Sequence, residues 1–176
     1  IGNGAFLHCA SLTTITIPDS VASIGEGAFA ACSGLKSITI GDGLTSIGLG
    51  AFSGCSDITS ITIPDSVTSI GDGAFNGCTS LTSVAIGNGV TSIGDRAFKN
   101  LRSLTNITIP DDVNSIGNDA FMDCTSLTAV TFLGDAPEIG DSAFEQSSPT
   151  IYRETDAKGW GDTLARRPVK LITEKP

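Results

Sequence analysis

Residues 12–32, LTTITIPDSVASIGEGAFAAC, decide how this chain folds. The first part alternates apolar and hydroxyl residues, rich in β-branched side chains, and reads as a strand. Its inward set is Leu12, Ile15 and Ile17. Pro18-Asp19-Ser20 stops the strand, because proline lacks the N–H that a ladder needs and fixes a turn. In Val21 to Cys32, Ala28, Phe29 and Cys32 stand at steps suited to a short helical turn with one buried face.

The same unit recurs without insertion. Phe6, Phe29, Phe52, Phe75, Phe98, Phe121 and Phe144 are each 23 residues apart. An alanine precedes each, from Ala5 to Ala143, and Ile1, Ile24, Ile47, Ile70, Ile93, Ile116 and Ile139 keep the same step. Leu12, Leu35, Ile58, Leu81, Leu104 and Leu127 form a further column. A fixed period between 20 and 50 residues marks a solenoid. One such unit has too little apolar surface to bury itself, so coils must stack and seal one another. Stacked strands about 4.8 Å apart would form one parallel sheet, with the phenylalanines as an internal spine. The turn after the strand alternates between two forms, at Pro18, Gly41, Pro64, Gly87 and Pro110, which suggests duplication of a two-coil block. The alternation frays at Leu133.

These units, L-x-x-I-x-I-P-D-S-V-x-x-I-G-x-x-A-F-x-x-C, resemble the BspA-like, or Treponema-type, leucine-rich repeat. The resemblance covers residues 1–144 as seven units, the first incomplete. It implies an α/β solenoid: a right-handed superhelix with one parallel β-sheet on the concave side and short helical or irregular segments on the convex side. Residues 145–176 are expected to form a C-terminal cap. Within them, Tyr152, Gly159, Trp160, Arg167 and Pro168 resemble the closing segment of some bacterial members, although RETDAKG (residues 153–159) departs from the apolar turn more usual there. The resemblance further implies a secreted or cell-surface bacterial protein. Its known roles are adhesion to matrix proteins and cell aggregation.

Charge narrows the partners. The net charge is −9, with 14 acidic and 4 basic residues in 1–144 but 5 acidic and 6 basic in 145–176. So acidic an array repels phosphate backbones and anionic lipid surfaces, so neither nucleic acid nor membrane insertion is expected. No apolar run approaches the roughly 20 residues that span a bilayer. The chain opens in mid-unit at Ile1 and no leader is visible, so it reads as a piece of something longer. The first coil leaves an unpaired edge that invites pairing.

Several constellations have plainer readings than chemistry. Cys9, Cys32, Cys55, Cys78 and Cys124 share one column with Leu101 and Ser147, so the slot reads as a small buried apolar position. A disulfide between adjacent coils is the lesser alternative, and a straight row of thiols does not make a tetrahedral metal site. His8, the only histidine, lies in the incomplete first coil and reads as an ordinary exposed residue. No phosphate loop or dinucleotide fingerprint is present, no cofactor is implied, and the chain is not expected to be an enzyme. Two acidic columns recur: Asp19, Asp42, Asp65, Asn88, Asp111, and Asn3, Glu26, Asp72, Asp95, Asn118, Asp141. They read as turn and cap residues accepting backbone N–H bonds, with calcium along the row as the sharper alternative. Asn106-Ile107-Thr108 matches a glycosylation acceptor and reads as chance in a bacterial protein.

The outward strand face is the functional candidate. It offers Thr14, Thr16, Lys36, Ser37, Thr39, Ser60, Thr62, Ser83, Asn106, Thr108 and Thr131, a nearly uncharged hydroxyl surface. The expectation is a non-enzymatic extracellular adhesion module. Its face would engage a host or neighbouring-cell surface or matrix protein, or a glycan. The alternatives are a passive spacer in a larger surface protein and, more remotely, an ice-binding solenoid. The face carries few aromatics, hence no evident protein hot spot.

Overall fold

The β-branched run and the turn that ends it give every coil the same path. The computed structural model describes residues 1–174. In it, strands Thr14–Ile17 (β1) and Ser23–Ile24 (β2) begin a series. The pair recurs as Ser37–Ile40 (β3) and Ser46–Ile47 (β4), Ser60–Ile63 (β5) and Ser69–Ile70 (β6), and Ser83–Ile86 (β7) and Ser92–Ile93 (β8). Asn106–Ile109 (β9) and Ser115–Ile116 (β10), then Ala129–Phe132 (β11) and Glu138–Ile139 (β12), complete it. Thr150–Arg153 (β13), Thr163–Leu164 (β14), Arg167–Leu171 (β15) and a 3₁₀ turn at Ile172–Glu174 follow. The result is a β-solenoid of about six turns. Its pairings are parallel and in step, Thr14 opposite Ser37 and Asn106 opposite Ala129, apart from the antiparallel β14–β15 pair.

The core is what the columns predict. Phe29, Phe52, Phe75, Phe98, Phe121 and Phe144 are buried, together with the alanines before them. From Phe6 to Phe144 neighbouring rings stack face to face, with centroids 5.0–5.5 Å apart. The repeat length enforces this stack: each ring occupies the same point of its coil, one strand spacing from the next.

Two expectations change. The segment around each phenylalanine is a chain of turns, not a helix, so the irregular alternative holds there. Its N–H groups alternate in target. Ala28, Ala30 and Cys32 donate three residues back, whereas Gly27, Phe29 and Ala31 donate to Leu49, Ala51 and Ser53 of the next coil. That alternation needs left-handed backbone at every fourth residue, at Gly27 and Ala31, then Gly50 and Gly54, then Gly73 and Gly77. A helix cannot pass through such points. Arg96 and Asp119 take the same conformation without glycine's freedom.

The second change concerns the sheet. One continuous sheet was expected, but two strand columns exist. The two-residue strands β2 to β12 form an unbroken six-stranded ladder. The longer strands form separate ladders: β1 with β3, β5 with β7, and β9 with β11, β13, β15 and β14. The breaks fall between a glycine-turn coil and the proline-turn coil that follows it. At the other steps, Lys36 donates to Thr13, Thr82 to Thr59 and Thr128 to Thr105, all at 2.9 Å. Gly41 N–H closes the β1–β3 ladder on Ile17 at 2.8 Å. Pro64 and Pro110 have no N–H to do so, and among the described residues neither Thr59 nor Thr105 donates back across the break. The turns show the same pairing. Asp19 Oδ1 accepts the Asp42 N–H and Asp65 Oδ1 that of Asn88, at 3.0 and 2.7 Å. The duplicated block is therefore a physical unit, proline-turn coil below, glycine-turn coil above. The blocks are joined through β2 to β12 and the phenylalanine turns.

Candidate binding face

The outward residues of the long strands lie in rows because each ladder pairs them in step and the unbroken period repeats the ladders. Thr14, Thr16, Lys36, Ser37, Thr39, Ser60, Thr62, Ser83, Asn106 and Thr108 are all exposed, as the alternation predicts. Their inward neighbours Ile17, Ile61, Ile63, Ile107 and Ile109 are buried. Thr131 departs from the expectation. It is 4% exposed, and Ala129 beside it is also buried. In the next strand Thr131 is matched with Tyr152, so a phenol ring stands where earlier coils have a hydroxyl. The open face thus ends at Asn106 and Thr108.

Part of the hydroxyl surface is committed to the array itself. Thr82 and Thr128 donate through their side chains to the Thr59 and Thr105 carbonyls, both at 3.0 Å. Thr45, Thr68 and Thr91 form a second chain of this kind, each bonding the coil before it. These threonines serve as side-chain cross-links between coils, a role that the column pattern alone did not separate from recognition.

The cysteine slot is buried in the apolar core, as the column predicts, with Leu101 in the same place, and it is a hydrogen-bonding position as well. Cys32, Cys55, Cys78 and Cys124 donate Sγ–H to the carbonyls of Phe6, Phe29, Phe52 and Phe98, at 3.0–3.2 Å. Ser147 makes the same bond to Phe121 at 2.7 Å. The serine in that column was the signal: a hydroxyl is buried only where a partner waits. All five thiols are free, and Cys9 is exposed. Burial pushes the Cys55 and Cys124 thiols up to about 12, and those of Cys32 and Cys78 also upward. Such thiols stay protonated and are poor nucleophiles.

The acidic columns do accept backbone N–H bonds, but from the next coil rather than from their own turn. Asn3 binds the N–H of Glu26, Asp72 that of Asp95 and Asp95 that of Asn118. Among the described residues no group of three or more His, Cys, Asp or Glu side chains is placed to hold a metal ion. Asp119 carries the one ion pair seen there, with Arg96 at 3.3 Å. The Ser142 hydroxyl, then Arg96 and Lys99, hold its carboxyl below the usual range. His8 is exposed, in left-handed backbone.

At the far end, Trp160 meets Phe132 edge to face with centroids 5.1 Å apart and donates its indole N–H to Gly134. Arg167 Nη2 donates to the carbonyl of Phe144 at 2.9 Å. That bond occupies the last phenylalanine carbonyl, which has no cysteine above it. Among the described residues no helix is long and apolar enough to cross a membrane.

Comparison with known proteins agrees with this architecture. A leucine-rich repeat protein of T. pallidum is 28% identical, with a TM-score of 0.66, over 68% of this chain and 58% of that one. A leucine-rich cell surface protein of Faecalibacterium prausnitzii A2-165 is also 28% identical, with a TM-score of 0.57, over 87% of this chain and 58% of that one. The chain thus spans under two thirds of the length of either. No curated protein matches it. The family model of the BspA type leucine rich repeat region matches in 6 copies, over residues 1–101 and 47–154. With most of its length covered by that match, the chain belongs to the BspA-type leucine-rich repeat family.

Proposed function

We propose that this chain is a non-enzymatic binding module of the cell surface or extracellular space, whose outward strand face engages a protein or glycan. Residues 1–144 form the working array and 145–176 close it. The observation that carries the reading is the exposure of ten residues, from Thr14 to Thr108, on the outward side of strands whose inward isoleucines and valine pack on the core. Rows of short polar side chains cost little entropy to order and present donors and acceptors together. The family membership and the cell-surface relative support the location. Extended solenoid faces are the usual contact surfaces of repeat proteins.

The test uses the purified chain against immobilised matrix glycoproteins and cell-surface glycans. Saturable binding is expected to at least one. The triple variant Thr16→Arg, Thr62→Arg, Thr108→Arg is expected to weaken it at least tenfold with an unchanged melting temperature. A second reading, a passive spacer, draws on the threonines spent on cross-links between coils. It predicts that the triple variant changes nothing and that binding resides outside this chain.

A further inference from the structure

The two places where the long-strand ladder breaks are equivalent by repeat, 46 residues apart, yet they differ in chemistry. At the first break, between β3 and β5, stand Lys36, Asp42, Thr39, Ser60 and Gly87. At the second, between β7 and β9, their counterparts are Thr82, Asn88, Ala85, Asn106 and Leu133. Both ionised residues are replaced by neutral ones. Two amides enter, one hydroxyl gives way to a methyl, and a glycine becomes leucine. Thr62 and Pro64 are matched unchanged by Thr108 and Pro110.

A cleft of about 310 Å³ lies at the second break, lined by these residues and by the edge of β7. No ionisable side chain lines it, although the chain carries a net charge of −9. Ile86, inward-facing on β7, is only partly buried, whereas Ile63 and Ile109 on the adjoining strands are sealed. Leu133 is 40% exposed, one of three large apolar residues exposed among those described. The cleft therefore combines an exposed apolar pad, of Ala85 and Leu133, with amide and hydroxyl groups that both donate and accept.

We infer that this cleft binds a short segment of an uncharged saccharide, an assignment resting on the reading of the strand face as a binding surface. A sugar ring pairs an apolar C–H face with a rim of hydroxyls, and the cleft offers the complement of both. Its size falls within the range of small-molecule sites. An anionic ligand would meet the acidic array, with Asp111 and Asp112 next to Pro110. A protein ligand would find neither the aromatic nor the arginine anchor that carries most interfaces.

The experiment titrates the intact chain, labelled for amide NMR, with a neutral glucose hexasaccharide and a neutral N-acetylglucosamine hexasaccharide. Saturable binding of at least one is expected, with the largest shifts at Ala85, Asn106 and Leu133. Ala85→Arg, at an exposed position, and Asn106→Asp should each weaken binding at least tenfold. Thr125→Arg, at an exposed position off the strand face where the coil before already carries Arg102, should leave it unchanged. Failure of both saccharides to bind overturns the inference, as does equal loss in Thr125→Arg and Ala85→Arg. A protein that binds the face through other coils while both saccharides fail would sink the cleft assignment and leave the broader reading standing.

Discussion

Each phenylalanine fills one position of a continuous stack, so its removal opens a void that neighbours above and below cannot both fill. Phe75→Ala is expected to lower stability by about 3–5 kcal/mol, read by chemical denaturation. Phe6→Ala should cost less, because Phe6 ends the stack and is only partly buried. The cysteine slot makes a finer test. Cys55→Ser should hold close to parental stability, since Ser147 already makes this bond to a phenylalanine carbonyl. Cys55→Val keeps the apolar volume but removes one of the two donors to the Phe29 carbonyl, leaving the Cys32 N–H, at a cost of up to about 1 kcal/mol. The thiols also set an alkaline limit. Burial holds them above the ordinary thiol value of 9.0, so the unfolded chain releases these protons first. Their contribution is therefore intact below about pH 9 and is lost as pH rises toward about 12. Replacing Cys32, Cys55, Cys78 and Cys124 with serine should flatten that alkaline decline in melting temperature. The sequence revealed the column but not its bond: five cysteines and a leucine look apolar, and only Ser147 hinted at an acceptor.

At the scale of the element, the turn decides which coils belong together. A Cβ at Gly43 would collide with the Asp19 carbonyl oxygen of the coil before, whereas one at Gly2 meets nothing within 4 Å. Gly43→Ala should therefore lower the melting temperature clearly, by an amount equivalent to roughly 1–3 kcal/mol, while Gly2→Ala leaves it alone. The Pro/Gly alternation was visible in the sequence. Its consequence, a ladder opened wherever proline follows, needed the structure, because adjacent coils without the break look the same in spacing. The Ala-Phe segment shows the opposite failure. Its apolar steps imitate a helix, and the left-handed residues that forbid one are glycine in some coils but Ala31, Arg96 and Asp119 in others.

For the molecule as a whole, the block is the unit of assembly. Deleting residues 60–105, two coils, preserves the order of proline-turn and glycine-turn coils. Deleting residues 60–82, one coil, sets a glycine turn on a glycine turn. The first variant should keep a single cooperative unfolding transition, and the second should lose stability beyond the loss of one coil, both read by thermal denaturation. Fold, core and the outward rows were legible in the sequence, since a period without insertions leaves little freedom in how coils stack. The end of the face was not. Thr131 keeps the column's residue type, and what removes it from the surface is the chain after residue 144, which follows no repeat. The charge contrast between the two breaks was likewise present in the residues, but the breaks themselves were unknown.

Amide hydrogen exchange by NMR tests the stacking of paired coils most directly. The Phe29, Phe52, Phe75 and Phe98 amides, each bonded to the next coil, should be strongly protected, as should those of Lys36, Thr82 and Thr128, with Thr59 and Thr105 exchanging fast. Uniform protection along Lys36, Thr59, Thr82, Thr105 and Thr128, or fast exchange in the phenylalanine column, would contradict the account.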